Sequence, residues 1–418
     1  MTRSAALRAL RHRDFRLLFF GQTASAIGSQ VVVVALALYI SRSTGSATDL
    51  GVVLAANTIP FVALLLFGGV WADRLPRHRV MIAADMIRGL LHLLLAVLIF
   101  DGAARIWEIA VIEALFGAAT AFFQPAYTGV LPQTVPEHEI QAARALTQAS
   151  FNLSMLLGPA LATALVLGVG AGYAFLFDAA SFALGTALLV PMRLRERGGG
   201  QPTQPRSSVL GELREGWHEV ASRPWVWATI LAFTGVLMCC YAPLLTLGPL
   251  LAHELYHSLS LFGILVAVDG LGSVIAAIVG AAWKPRRQLW MGLALTVLWP
   301  LANVLFALHA PVWLLLAANF GAGFSTGLMM VAWESSLAHH IPPGALSRVS
   351  AYDYMGSLAL TPVGYVLAGP LAGQLGRRAV VLWGSVIAMA LVVLSLLPRS
   401  TWELAPGPPP VATDGEGG

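Results

Sequence analysis

A chain of 418 residues in which 57% are hydrophobic and only 11% charged is too apolar for a string of water-soluble domains, and a mean hydropathy of +0.74 places it in a membrane. The formal net charge of +4 invites a nucleic-acid reading, which the positions of the arginines replace with a topological one. Cys239 and Cys240 are adjacent, so they cannot close an ordinary structural disulfide and say little about redox compartment.

A hydrocarbon core about 30 Å thick needs roughly 20 apolar residues per helix at 1.5 Å each. The sequence supplies twelve such runs, at residues 15–40, 48–71, 79–100, 104–125, 142–168, 171–191, 225–250, 258–282, 287–308, 311–334, 345–371 and 377–398. Without water to satisfy backbone groups, runs of this length must be helices, and a barrel is excluded. The fold class is therefore an all-α membrane protein of twelve transmembrane helices in two six-helix bundles. The opening MTRSAALRALRHRDFRLLFF is basic like the start of a signal peptide, and Ala24-Ser25-Ala26 mimics a cleavage site. Apolar sequence nevertheless resumes to Ile40, which makes this a retained first helix.

Between the sixth and seventh runs lies RLRERGGGQPTQPRSSVLGELREGWHEVASRP, a Gly-, Pro- and Gln-containing linker whose second part suits an amphipathic surface helix. The expected organisation is an N-terminal bundle at 1–191, a cytoplasmic linker at 192–224, a C-terminal bundle at 225–398 and a disordered tail at 399–418. On this map 20 of the 25 Lys and Arg residues fall on the side that carries both termini. That side is the cytoplasm, so the chain is a multi-pass protein of the inner (plasma) membrane, and its basic excess is no nucleic-acid footprint.

The halves repeat. FGAATAFFQPAYTGVLPQTVPEHEIQAARAL from Phe116 has an echo in FGAGFSTGLMMVAWESSLAHHIPPGALSRVS from Phe320, and Gly117, Pro136 and Pro159 map to Gly321, Pro342 and Pro362. A nearly constant offset of half the chain marks an internal duplication, and parallel repeats place a binding cavity between the halves near the midplane.

Between the second and third runs stands GVWADRLPRHR, Gly69 to Arg79. It resembles the cytoplasmic loop signature G-x-x-x-D-R-x-G-x-R/K-R/K of the major facilitator superfamily, with Pro76 in place of the second glycine and His78 in place of one basic residue. AFFQPAYTGVLPQTVP, FLFDAASFALGTALL and WESSLAHHIPPGALSRVSAYDYMGS resemble the branch containing siderophore exporters and macrolide-efflux proteins. SMLLGPALAT is similar to the antiporter signature of exporting members: Gly158 and Pro159 match, while Ser154, Ala162 and Thr163 replace glycines. The resemblance implies alternating access, and a gating loop in which Gly69, Asp73, Arg74, Arg77 and Arg79 approach the start of helix 11, where Asp353 is available. It also implies a small-molecule substrate exchanged for protons, a monomer in lipid, and neither enzymatic activity nor a cofactor.

An ionised side chain in the bilayer costs at least about 2.5–3.5 kcal/mol, so each one present is paired, neutralised or wet. Asp85 and Arg88 are spaced to pair on one helix face, and Asp178 is read as structural. Glu113, counted 12 residues back from Pro125 as the cytoplasmic end of its helix, falls near the midplane with no basic residue three or four positions away. Burial favours its protonated form, which makes it the first candidate for proton coupling. Asp269, with Ser273 one turn away, is the second. Gln22, Ser25 and Ser29 share a face of the first helix and, with Asn57, Gln148 and Asn152, are the candidate cavity lining. Gly158 and Pro159 are the candidate kink of helix 5.

His253-Glu254-Leu255-Tyr256-His257 spells H-E-x-x-H, which on a helix aligns two imidazoles for zinc. It lies at a short outer loop without a third ligand, so an intramembrane zinc enzyme is a remote alternative and no metal is expected. The sequence reading is a proton-coupled exporter of a drug, siderophore or secondary metabolite. An uptake symporter is the nearest alternative, and a transport-inactive sensor a further one.

Overall fold

The structure, a computed structural model, describes residues 8–192, 194, 217–280, 285–402 and 404, with side chains outside 66–74 and 343–348. The twelve helices long and apolar enough to span a membrane are α1 (Arg13–Ser43), α2 (Ala47–Arg74), α3 (Arg77–Phe100), α4 (Ile106–Val130), α5 (Ile140–Gly168) and α6 (Ala171–Leu189) in the first half. In the second half they are α7 (Pro224–Tyr256), α8 (Leu259–Gly280), α9 (Gln288–Ala307), α10 (Val312–His340), α11 (Val349–Leu375) and α12 (Arg377–Ser395). Most of the expected linker, and the tail beyond 404, lie outside the described residues.

Prolines lie inside several of the spans without ending them, as membrane helices allow. Pro125 lies within α4, which continues to Val130. The sequence expectation for Glu113 is corrected accordingly. Glu113 is seven residues, or about 10 Å, from the Ile106 end of α4 and nearer to it than to the Val130 end. Pro159 sits inside a continuous α5. At the adjacent Gly158 an added Cβ would come within 2.3 Å of Gln30 Cβ on α1, so here glycine serves close packing of α5 on α1. In α7 a π-helical turn at Leu237–Tyr241 precedes Pro243, and Cys240 accepts a hydrogen bond from Asn303 Nδ2 of α9 at 3.0 Å.

The inner face is taken as the one bearing both termini. At the outer face one apolar core runs through both halves, joining Val34, Leu50, Ile109 and Phe175 to Leu247, Leu261 and Tyr365. At the inner face the cores are separate: Phe15, Met81, Phe123 and Leu131 in the first half, and Trp225, Leu293, Trp333 and Val349 in the second. The halves meet through α5 on α8 and α2 on α11. A Cβ on Gly51 would lie 2.1 Å from the Tyr365 carbonyl oxygen, and one on Gly263 would lie 3.0 Å from Thr163 Cβ. Two bundles sealed at one end and separate at the other define a cavity open toward the inner face.

The repeat is visible in the packing. Gly117 of α4 abuts the carbonyl of Asn57 in α2, and Gly323 of α10 abuts the carbonyl of Asp269 in α8. The counterpart of Gly117 in the second half is thus Gly323, two residues from the Gly321 that the sequence repeat suggests. The shift restores the offset that relates Pro136 to Pro342.

The outer seal yields a test. The combination Thr163→Cys with Gly263→Cys, in a Cys239→Ser, Cys240→Ser background, puts the two Cβ atoms within about half an ångström of disulfide spacing. Oxidation is expected to cross-link the halves and stop transport, with recovery on reduction. Free transport by the oxidised, cross-linked protein would refute the outer seal as a moving part.

Candidate functional site

The cavity, of about 460 Å³, is walled by α1, α3, α4 and α5, with Tyr354 of α11 closing one side. Gln22, Ser25 and Ser29 line it from the α1 face that their spacing defines, and Gln148 lines it from α5. Asn152 is held by Gln148 Nε2, which donates to its Oδ1 at 3.0 Å. Asn57 belongs elsewhere: its Nδ2 donates to Glu113 Oε2 at 2.8 Å. The rest of the lining alternates amides and hydroxyls (Gln30, Thr120, Gln124) with aromatic rings (Phe19, Phe123, Tyr127, Phe151).

Arg88 is the one charged side chain on the cavity wall among the described residues. It pairs with Asp85 one turn back on α3, as the spacing indicates, and Gln22 Nε2 donates to the other Asp85 oxygen at 3.4 Å. Its guanidinium lies 4.1 Å from the Phe123 ring centre and 4.5 Å from that of Phe182, a cation–π setting that offsets part of its lost hydration. Arg88 Nε is buried without a partner.

Behind this wall is a feature that sequence reasoning missed. His92, fully buried, sits two turns from Asp85 on the same face of α3. Its Nδ1 is 2.5 Å from Asp178 Oδ2 of α6, and its Nε2 is 3.6 Å from Glu113 Oε1 of α4. Its ring stacks on Phe116 with centroids 4.1 Å apart and planes 4° from parallel. Asp178 is also fully buried and accepts from Ser181 Oγ at 3.3 Å. A Cβ at Gly28 of α1 would fall 2.2 Å from Asp178 Oδ1, so glycine there makes room for the carboxylate. The face period of Asp85, Arg88 and His92 was readable in the sequence; that His92 faces two acids from other helices was not.

The second half carries less charge within the membrane. Asp269 is half-buried on α8, and no ion pair to it forms among the described residues. Ser273 Oγ donates to the Gly323 carbonyl at 3.0 Å, away from Asp269. Asp353 accepts from Trp333 Nε1 at 2.8 Å and Ser357 Oγ at 3.3 Å, both in its own half. Arg77 lies along α4, where a Cβ on Gly129 would meet its Nη1 at 2.1 Å. His78 Nε2 is 2.8 Å from the Leu189 carbonyl, tying α3 to α6, and Arg79 is exposed. With the inner ends parted, Asp353 and Arg77 are each engaged within their own half. The side chains of Gly69, Asp73 and Arg74 lie outside the described residues.

The H-E-x-x-H segment does not form a zinc-binding helix face. α7 ends at Tyr256, His257 takes a left-handed conformation (φ 51°) beyond it, and Glu254 pairs with Arg377 at 3.2 Å. No cluster of three or more metal-ligating side chains occurs among the described residues.

Two membrane-spanning bundles that share an outer core and keep separate inner ones, around a polar and aromatic cavity, have the architecture of a membrane transporter. The chain belongs to the Major Facilitator Superfamily, whose profile matches residues 18–356 and 241–413. It is 27% identical over 395 residues to the multidrug efflux pump Tap of Mycolicibacterium fortuitum, covering 92% of this chain and 95% of the relative. It is 24% identical over 409 residues to macrolide efflux protein A of Streptococcus pyogenes, covering 93% and 97%. A bacterial homolog of the human lysosomal transporter Spinster, in an inward-facing and unoccupied conformation, superposes with a TM-score of 0.70 at 16% identity, covering 98% of this chain and all of that one. The nucleoside transporter NupG superposes with a TM-score of 0.69 at 12% identity, covering 92% and 100%. These similarities in structure speak to the fold.

The Asp85–Arg88 pair makes a stability prediction. Arg88→Leu strands a buried carboxylate and is expected to destabilise the protein by about 3–5 kcal/mol, whereas Asp85→Asn with Arg88→Leu recovers much of the loss because no charge is left unmatched. Thermal unfolding of the purified variants in detergent measures both; equal losses in single and double variants would contradict the pairing.

Proposed function

We propose that this protein exports small amphipathic organic molecules from the cytoplasm across the inner membrane in exchange for protons. The observation that carries the reading is the cavity. It opens on the face that holds the basic loops, and its amides, hydroxyls and aromatic rings suit compounds with apolar bodies and scattered polar groups. Similarity to efflux proteins over nearly the full length supports the outward direction. A buried glutamate behind the cavity wall, Glu113, with one carboxyl oxygen left without a hydrogen-bond partner, supports coupling to protons.

The cycle follows from alternating access. Substrate enters the cavity from the inner face and packs on Phe19, Phe123 and Tyr127. The outer core, joined across Gly51–Tyr365 and Gly263–Thr163, then parts while the inner ends close. Closing brings the α2–α3 loop toward α11. Asp73, Arg74, Arg77 and Arg79 then gather with Asp353 as the gate of that second state. Single exposed ion pairs contribute only about 0–1 kcal/mol, enough to shift two conformations of similar energy. Protonation of Glu113, with Asp269 as the second candidate, drives the return. The organisation that fits is two bundles, 1–191 and 225–398, joined by a cytoplasmic linker, acting as a monomer.

Inside-out vesicles energised to an acid interior test direction and coupling together. Vesicles with the wild-type protein are expected to accumulate a macrolide, a tetracycline or ethidium, and to release it when the pH gradient is collapsed. Expulsion of these compounds on acidification would instead indicate an uptake symporter. Glu113→Gln, which mimics the protonated acid, is expected to abolish uphill accumulation while retaining binding; wild-type accumulation by this variant would pass the role to Asp269. A periplasm-active reporter fused at residue 404 is expected to stay silent, and a strong signal would reverse the topology.

A further inference from the structure

Five ionisable side chains lie together inside the first half: Asp85, Arg88 and His92 on α3, Glu113 on α4 and Asp178 on α6. The elements packed against His92 add Asn57 of α2 and Ser181 of α6 as neutral donors, and α1 adds Gln22 and Ser25. The charges do not balance: three carboxylates face one arginine and one histidine. Asp85 and Arg88 cancel, which leaves His92 between two acids. With His92 doubly protonated, Asp178 ionised and Glu113 protonated, the group is neutral. Loss of one proton leaves a single negative charge in a place where charge is expensive.

The geometry marks where that proton resides. His92 Nε2 and Glu113 Oε1 face each other at 3.6 Å, and both are buried without a hydrogen-bond partner. The opposite edge of each group is fixed, His92 Nδ1 by Asp178 at 2.5 Å and Glu113 Oε2 by Asn57 at 2.8 Å. The Asp178 and Asn57 contacts hold the imidazole and the carboxyl in place, and only the Nε2–Oε1 edge is free to gain or lose a proton. His92, Glu113 and Asp178 lie seven or eight residues from the outer ends of α3, α4 and α6, about 10–12 Å deep. Leu95, Ile109, Ile112 and Phe175 of the shared outer core cover them on that side. Phe116, stacked on His92, also lines the cavity and divides the two.

We propose that His92, Asp178 and Glu113 form the proton-carrying site, with His92 as its centre, Asp178 as the residue that positions and charges His92, and Phe116 as the partition that a bound substrate displaces. The site takes a proton when the outer core opens and gives it to the cavity, across Phe116, when the inner face is open. This deepens the reading of a proton-coupled exporter and rests on it. It replaces a lone glutamate with a triad in which removing histidine is as damaging as removing the acid.

Two measurements decide the matter. The first needs no substrate: protein labelled with 15N-histidine is titrated in detergent between about pH 5 and 9, and the His92 signal is assigned by its loss in His92→Gln. The expected signal at neutral pH is a doubly protonated ring in the wild type and in Glu113→Gln, which mimics the protonated acid, shifting to the neutral ring in Asp178→Asn, which removes the paired anion. A wild-type His92 that stays neutral in one tautomer across the range overturns the triad. The second uses proteoliposomes and a radiolabelled macrolide. His92→Gln and Asp178→Asn are expected to lose gradient-driven accumulation while keeping exchange of labelled for unlabelled macrolide at equal pH. Gradient-driven accumulation by His92→Gln at the wild-type level refutes the proposal. If instead the wild type is indifferent to the pH gradient, the proton-coupled reading itself fails, and the histidine titration still decides whether the three groups share a proton. Should His92→Gln not fold, Asp178→Asn and Glu113→Gln carry both arms.

Discussion

Charge buried in hydrocarbon must be matched nearby, and the first half of this protein is arranged around that requirement. Asp85, Arg88, His92, Glu113 and Asp178 come from three helices and interlock over a few ångströms, with Asn57 and Gln22 reaching in from α2 and α1. Each contact is directional, so the cluster fixes the rotation of α3 against α4 and α6 more tightly than apolar packing does. Small residues make the space. Gly28 clears Asp178, and Gly117 lets α4 close on α2 beside Asn57. Removing Asp85 or Arg88 alone leaves a stranded charge, whereas removing the matched pair does not.

The second half solves the same membrane problem with few charges. Its spans are held by apolar packing, by hydroxyl bonds to preceding carbonyls such as Thr229, Thr246 and Ser336, and by the Asn303–Cys240 contact. α7 carries a π-helical turn and two prolines, at 243 and 249, and α9 is interrupted near Thr296. A rigid, charge-locked half and a half with irregular helices meet in one outer core and separate at the inner face.

The similarity between Asn57–Gly117 and Asp269–Gly323 links the halves. In each, a polar residue of the second helix lies where the fourth helix comes closest. Duplication placed a polar side chain at equivalent depths, and divergence surrounded Asn57 with the charged cluster while leaving Asp269 without an ion-pair partner among the described residues.

The sequence by itself determined the twelve spans, the two-bundle class, the Asp85–Arg88 pair and the face of α1 that lines the cavity. All of these follow from local periodicity and from the cost of moving unpaired backbone or charge into lipid. The position of Glu113 along its helix differs from the sequence expectation because α4 runs on through Pro125 to Val130, and a proline does not by itself end a membrane helix. Only the tertiary structure decided that Asn57 serves Glu113 instead of the cavity, that Gly158 marks a helix crossing, and that His92 joins Glu113 and Asp178. Glu113 and Asp178 are 21 and 86 residues from His92 along the chain. No periodicity within one helix specifies which face of another helix it will meet.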